Sequence, residues 1–128
     1  MVDYLSPAWL DAVGVELAAR DGLRALAAAN PVGFTQEITD ATTYHLSSHG
    51  GEVTVGWGPA EPEDVRLRTD RRTAVAVATG AVNAQEAFIT GTLALIGDQQ
   101  RLLTVQALLF AFDEVMSAVA RKTRYPDA

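Results

Sequence analysis

The alternation of apolar and polar residues between Gly33 and Thr69 limits the possible folds of this chain more than any other feature. In four short runs, every second residue is apolar, aromatic or large, and its neighbours are polar or small. This period of two predicts four strands, and a sheet with one buried and one largely wet face favours antiparallel pairing. The alternating residues are Phe34, Gln36, Ile38, Tyr44, Leu46, Val53, Val55, Trp57, Val65 and Leu67.

The segment before these strands has helical character. Ser6 can cap free N–H groups and Pro7 fits a first helical turn, so a helix is expected to begin there. The alanine-rich sequence that follows favours helix until Asn30 and Pro31, with Gly14 and Gly22 as points where it can divide. The sequence therefore predicts two N-terminal helices.

The segment after the strands alternates short helices with one more strand. Asp70 and Asn83 can cap helices in "RRTAVAVATG" and "AQEAFITG", and Gly91 stops the second. "TLALIG" reads as a fifth strand, after which Asp98 caps one long final helix. Its residues step by three and four, which predicts a face packed on the core: Leu102, Val105, Leu109, Phe112, Met116 and Val119.

Leu103 and Phe110 fall outside that stripe and form a second apolar patch on the final helix. A single contact with the core does not need this patch, so we expect a partner or the far wall of a cavity to cover it.

These elements together predict the fold class α+β. The expected architecture is a five-stranded, mainly antiparallel sheet with N-terminal helices, two short helices before the last strand and a long C-terminal helix. The chain of 128 residues fits one domain over 1–128, and it shows no internal repeat or linker.

Composition excludes several functional classes. The chain has no cysteine, which excludes disulfides, thiolate nucleophiles and cysteine-based metal sites. Its net charge of −6 and the absence of RNP-like or helix-turn-helix signatures argue against binding of nucleic acid. No apolar stretch approaches the roughly 20 residues of a membrane span, and "MVDYLSPAWLDAV" lacks a secretory signal pattern, so we expect a cytoplasmic protein.

A family resemblance is carried by "EDVRLRTD" (63–70), "TAVAVATGAVNAQEAFITGTLALIGD" (73–98) and the apolar helix after them. A small helix, a glycine, a second helix with Ala-Phe, then Gly, a strand and Gly-Asp resembles the sterol carrier protein 2 (SCP2) lipid-binding domain. Weaker similarity extends to "LSPAWLDAV" and "GGEVTVGWG". The chain is accordingly identified as a single-domain bacterial member.

The resemblance implies an apolar tunnel, roofed by the C-terminal helix, that accepts a fatty acid, fatty acyl-CoA, sterol or related lipid. It also implies no catalysis and no cofactor. The expected function is non-enzymatic intracellular binding and transfer of such a ligand. Residues expected to line the tunnel are Trp57, Phe88, Ile89, Leu93, Leu95, Leu103, Leu109, Phe110, Phe112 and Met116. From periodicity alone, the same residues would equally suit a dry, filled core.

No catalytic constellation stands out among the polar residues. His45 and His49 are interpreted as surface residues on a hairpin and not as a metal site. The pairs Glu63-Asp64 and Asp113-Glu114 are interpreted as solvated. Ser47 and Ser48 lack a nucleophile turn, and the glycines at 50, 51, 56 and 58 lack the strand-to-helix context of a phosphate loop.

Basic residues cluster at Arg66, Arg68, Arg71 and Arg72. Solubilising charge is the favoured interpretation, and contact with acyl-CoA phosphate or an anionic membrane is the alternative. Two other functions stay open. One is an enzyme or accessory that uses the pocket with Tyr44, His45 or Gln36 as polar handles, and the other is an interaction module with a filled core that forms a homodimer.

Overall fold

A computed structural model of the chain describes residues 1–125. Its elements, in chain order, are β1 (Val2–Asp3), α1 (Pro7–Ala18), α2 (Leu23–Ala29), β2 (Gly33–Ile38), β3 (Thr43–Ser47), β4 (Thr54–Trp57), β5 (Val65–Thr69), α3 (Arg71–Ala78), α4 (Ala84–Thr90), β6 (Leu93–Gly97), α5 (Gln99–Thr104), α6 (Gln106–Ala120) and β7 (Thr123–Arg124). The α+β class, the five-stranded sheet and the two N-terminal helices are confirmed.

The main sheet has the strand order β4-β3-β2-β5-β6. Three of its four pairings are antiparallel, as expected, but β2 and β5 run parallel. The chain leaves β4 at one edge, crosses back over residues 58–64 and enters β5 in the same direction as β2. Alternation reports which face of a strand is buried and carries no information on strand direction, so this pairing could not be predicted from the pattern.

The helix caps expected from the sequence are confirmed. The Ser6 hydroxyl accepts a hydrogen bond from the Trp9 N–H at 3.2 Å, and the Asp70 carboxylate accepts one from the Thr73 N–H at 2.6 Å. Asn83 and Asp98 cap α4 and α5 in the same way. Gly91 ends α4 with a φ of +85°, a left-handed conformation that glycine adopts without steric cost.

The expected single C-terminal helix is two helices, which corrects the prediction. The helical path breaks at Val105, whose φ of −108° and ψ of 20° lie outside the α region. The adjacent β-branched residues Thr104 and Val105 disfavour a continuous helix. In addition, the Thr104 hydroxyl donates to the Arg101 carbonyl at 2.9 Å, and Val105 itself is buried in the core.

The core-facing side of α6 also differs from the predicted stripe. Leu108 and Val115 are fully buried, together with Phe112 and Val119, whereas Leu109 and Met116 are only half-buried beside them. Leu103 and Phe110 are 68% and 70% exposed. The second apolar patch therefore exists as expected, and no part of residues 1–125 covers it.

A second, two-stranded sheet joins the two ends of the described chain. β1 pairs in parallel with β7, and the Arg124 Nε donates to Asp3 Oδ1 at 2.7 Å. Each strand has only two residues, which is too short for a periodic signal in the sequence. The pairing positions Tyr4 and Tyr125, the next residues in each segment, side by side.

The core fills the space between the main sheet, α1 and α6. Its largest fully enclosed side chains include Trp9 and Val13 from α1, Leu46 from β3 and Leu108 from α6. Leu17 and Leu23, expected to face the core, are buried. Within residues 1–125, none of the helices has the length and hydrophobicity that a transmembrane span requires.

Candidate ligand-binding cavity

The inner face of the main sheet presents its side chains in rows that cross the strands. Register partners in a sheet share a face, so one row contains Trp57, Tyr44, Gln36, Leu67 and Leu95. The neighbouring row, nearer the end of β2, contains Ile38, Thr69 and Leu93. Gln36 is the central member of the first row and its only amide.

A cavity of about 300 Å³ lies between these rows and the helices α3 and α6. Its volume is at the lower end of the roughly 300–1,000 Å³ typical of small-molecule sites. The lining residues are Tyr4, Trp9, Gln36, Ile38, Tyr44, Leu67, Thr69, Thr73, Ala74, Val77, Ala78, Ala84, Leu93, Leu109, Phe112, Asp113, Met116, Ser117, Ala120 and Tyr125.

The exposure of the lining residues distinguishes the floor of the cavity from its mouth. Floor residues such as Ile38, Tyr44 and Leu93 are buried. Asp113 and Ser117 on α6 are exposed, as are Ala78 and Ala84 across from them. The mouth therefore lies between α6 and the segment that joins α3 to α4.

Four aromatic side chains form one end wall of the cavity. Tyr125 packs on Tyr4 with ring centroids 5.0 Å apart, Tyr4 meets Trp9 at 5.2 Å, and Trp9 meets Tyr44 at 5.2 Å. The last two pairs are edge-to-face, an arrangement favoured by the ring quadrupoles. This aromatic wall joins both ends of the described chain to the middle of the sheet.

The phenols of the wall stay neutral at physiological pH. Burial raises the pKa of Tyr4 to about 12, and the neighbouring phenol of Tyr125 adds to the shift. Burial also raises the pKa of Tyr44 well above its ordinary value, with smaller contributions from Tyr4 and Tyr125. Each phenol is therefore a hydrogen-bonding group without charge.

Two polar side chains of the lining have no hydrogen-bond partner among residues 1–125. They are the Gln36 amide and the Tyr44 hydroxyl, which are register partners across β2 and β3. By contrast, the Thr69 hydroxyl already donates to the Thr92 carbonyl at 2.7 Å. Buried polar groups normally have partners, so Gln36 and Tyr44 are the groups that a bound molecule or water would satisfy.

The ten residues that the sequence nominated are distributed between the cavity and other surfaces. Four of them line the cavity: Leu93, Leu109, Phe112 and Met116. Trp57 and Leu95 lie at the two ends of the Gln36 row, on the edge strands. The remaining four are exposed on helices and do not line the cavity: Phe88, Ile89, Leu103 and Phe110.

Sequence reasoning missed the aromatic wall and the contribution of α3. Tyr4 and Tyr125 reach the cavity only because β1 pairs with β7. Thr73, Ala74 and Val77 follow the i, i+1, i+4 spacing of one helical side, but "RRTAVAVATG" is too short and too uniform for a clear amphipathic signal.

The outer face of the sheet holds the other polar candidates. His45 Nδ1 lies 3.0 Å from the Gly58 carbonyl, so this residue points away from Gln36 and Tyr44. Arg66 pairs with Glu37 at 2.7 Å and with Glu63 at 2.9 Å, and Arg68 shares Glu37 at 3.2 Å. The interpretation of Glu63 as simply solvated is corrected by its ion pair with Arg66.

Asp64 is also more than a solvated carboxylate. It accepts hydrogen bonds from His49 Nε2 at 2.9 Å and from the Gly33 N–H at 2.8 Å. Burial alone would raise the pKa of Asp64, but these two bonds and the charge of Arg101 together lower it. Within residues 1–125, no group of three or more histidine or carboxylate side chains is placed to hold a metal ion.

Comparison with known proteins adds evidence to this geometry. The model of the SCP-2 sterol transfer family matches residues 16–110, which include the whole main sheet and most of the cavity. The chain belongs to the SCP-2 sterol transfer family. Membership supports lipid binding or transfer in general. No curated protein matches the chain.

Solved structures of this fold include a sterol carrier protein 2, with a TM-score of 0.67, 18% identity and coverage of 90% of this chain and 98% of the other. The protein TT1886 of Thermus thermophilus, described as possibly a sterol carrier protein, gives 0.59 and 19%, with 98% and 94% covered.

The SCP-2 fold also occurs within a longer enzyme. The stereoselective inverting sec-alkylsulfatase Pisa1 from Pseudomonas sp. gives a TM-score of 0.50 and 22% identity over 66% of this chain. This chain spans only 14% of that enzyme. At these levels of identity the structures establish the shared fold alone.

Proposed function

We propose that this protein binds one lipid-like molecule in the cavity between the sheet, α3 and α6, and carries it without chemical change. The observation that carries the proposal is an apolar cavity with a defined mouth in a member of the SCP-2 sterol transfer family. The ligand classes are those that the resemblance implied, namely fatty acids, acyl-CoAs, sterols and related lipids.

Burial of a hydrocarbon chain supplies enough free energy for this role. Each buried methylene contributes about 0.8 kcal/mol, so about ten of them correspond to a dissociation constant near the micromolar range. Such binding is released readily, which suits transfer between membranes or enzymes. Transfer would take place in the cytoplasm if the prediction from the sequence holds.

A non-enzymatic role is supported by the chemistry of the lining. Nucleophilic catalysis needs an activating base beside a Ser, Thr or Cys, and the lining residues within 1–125 include no His, Lys or Cys. His45, named with the polar handles of an enzyme, lies on the opposite face of the sheet.

The test is native mass spectrometry of the purified protein, before and after addition of a mixture of fatty acids, acyl-CoAs and sterols. A saturable one-to-one adduct is expected. The variant Leu109→Trp should lose the adduct, because this half-buried side chain lines the cavity. Leu103→Trp, a matched change at an exposed position, should keep it.

Two results would contradict the proposal. A folded protein that forms no adduct with any lipid would instead favour the interaction module, whose Leu103 and Phe110 patch would be tested by measuring mass in solution. A ligand that is converted to a product of different mass would show that the protein is an enzyme.

A further inference from the structure

We infer that the cavity selects lipids with an uncharged, hydroxyl-bearing head group over lipids with an anionic one. The inference rests on the proposed function and narrows its ligand class. It depends on the relation between Gln36, Tyr44 and Asp113, and it needs no feature outside the cavity.

The deepest polar groups of the cavity are neutral. Gln36 and Tyr44 face each other across β2 and β3, at a spacing of roughly 4.5–5.5 Å between Cβ atoms for such pairs. Tyr44 is only 3% exposed, and neither side chain has a protein partner among residues 1–125. The Gln36 amide can donate and accept, and so can the Tyr44 hydroxyl.

A ligand hydroxyl is complementary to this pair. It can donate its hydrogen to the Gln36 Oε1 and accept a hydrogen bond from the Tyr44 hydroxyl at the same time. The Leu67 side chain lies on the other side of Gln36, and Leu93 lies in the next row, so the rest of the molecule would contact apolar floor. A molecule with one hydroxyl and an apolar body therefore satisfies both groups.

An anionic head group meets a different balance of free energy. A carboxylate can accept hydrogen bonds from the Gln36 amide and the Tyr44 hydroxyl, but its charge would stay without a counter-ion. Among residues 1–125, no Lys, Arg or His lines the cavity. Arg71 contacts the ring of Tyr4 at 5.8 Å and is not part of the lining. Burial of a charge without an opposite charge is costly.

The mouth adds a second element of selection. Asp113 is the only charged residue of the lining within 1–125, and it is exposed at the mouth without an ion-pair partner. Its negative charge, on a chain of net charge −6, repels carboxylates and phosphates as they enter. Acyl-CoA, which carries several phosphate charges, is disfavoured most.

The experiment compares three ligands with the same twelve-carbon chain, namely 1-dodecanol, dodecanoate and 1-chlorododecane. Each displaces the uncharged fluorescent probe N-phenyl-1-naphthylamine from the protein. We expect dodecanol to bind about tenfold or more tightly than dodecanoate, because only the carboxylate brings a charge into the cavity. Equal affinity, or tighter binding of dodecanoate, would overturn the inference and leave the proposed function intact.

Variants identify the residues responsible. Gln36→Leu and Tyr44→Phe should each weaken dodecanol by about threefold to tenfold, the value of one hydrogen bond, and leave chlorododecane unchanged. Gln106→Leu, at an exposed position outside the lining, is the matched control and should change neither. If dodecanol and chlorododecane weaken equally in Gln36→Leu, the amide has no role in recognition and the inference is wrong.

A charge substitution at the mouth tests the second element on an exposed position where folding is not at risk. Asp113→Lys should raise the affinity for dodecanoate and leave that for dodecanol unchanged. An unchanged preference would remove Asp113 from the selection. Failure of the probe and all three ligands to bind would contradict the proposed function itself, and the inference with it.

Discussion

The indole of Trp9 meets the phenol ring of Tyr44 edge to face, with ring centroids 5.2 Å apart. Both rings line the cavity, and Trp9 is only 1% exposed. The second tryptophan of the chain, Trp57, is 43% exposed and does not line the cavity. The two indoles therefore differ in what they can report about a bound ligand.

Fluorescence of Trp9 should follow occupancy of the cavity. In the variant Trp57→Phe, which keeps only Trp9, titration with a ligand should change the emission in a saturable manner, because the ligand replaces solvent beside the ring. The variant Trp9→Phe, which keeps only Trp57, is the control and should show no saturable change. A signal that appears only in the second variant would place the ligand elsewhere.

Gly33 is expected to tolerate no side chain. A Cβ at this position would lie 1.8 Å from the Pro62 carbonyl oxygen, because residues 58–64 cross directly over the start of β2. Gly33→Ala should therefore lower the free energy of unfolding by about 3 kcal/mol or more, measured by urea denaturation.

Gly91→Ala provides the comparison for Gly33→Ala. Gly91 has a positive φ but open space around its Cβ, so the expected cost is only about 1–2 kcal/mol. If the two alanine variants are equally stable, residues 58–64 do not cross Gly33 as described.

The orientation of α6 predicts opposite outcomes for two large residues close together on it. Leu108 is fully buried, so Leu108→Ala should cost about 2–5 kcal/mol in the free energy of unfolding. Phe110 is 70% exposed, and Phe110→Ala should change stability by no more than about 0.5 kcal/mol. Thermal and urea denaturation of both variants measure this difference. The reverse order would mean that α6 is rotated about its axis.

Acid should destabilise the protein in part through Asp64. Its pKa is lower in the folded chain than the ordinary value of 3.8, so the unfolded chain binds the proton more readily. The resulting stabilisation is complete above the unfolded pKa and is lost as the pH falls through the folded one. Unfolding measured from pH 6 down to pH 2 should show this loss.

The variant Asp64→Asn should have a shallower dependence of stability on pH over the same range. Asp21→Asn is the control, because Asp21 is exposed and has no partner among residues 1–125. This control should keep the profile of the parent protein. A parent profile in Asp64→Asn would show that the bonds from His49 and Gly33 do not depend on the carboxylate charge.

Most of the fold could be predicted from local signals. The alternation around Phe34 and Tyr44 located the strands, and the caps Ser6, Asp70 and Asn83 located helix starts, because both signals depend only on neighbouring residues. The parallel pairing of β2 with β5 could not be predicted, since it depends on a crossover through residues 58–64.

The cavity was less predictable than the fold. In "ALLFAFDEVMSAVA" almost every position of the first two turns is apolar, so several faces of the helix fit the core equally well. The predicted stripe shared Phe112 and Val119 with the buried face, and it placed Leu109 and Met116 in the core although they line the cavity. A pocket needs apolar residues that stay unpacked, and periodicity does not distinguish these from packed ones.

The pairing of β1 with β7 has a consequence for the order of folding. The Val2 and Tyr4 N–H groups donate to the Lys122 and Arg124 carbonyls at 2.9 and 3.0 Å, across nearly the whole length of the described chain. Such distant contacts form late, because a long loop must close before they are gained. The sheet and α6 can therefore assemble first, and the aromatic wall is complete only when the two ends of this segment meet.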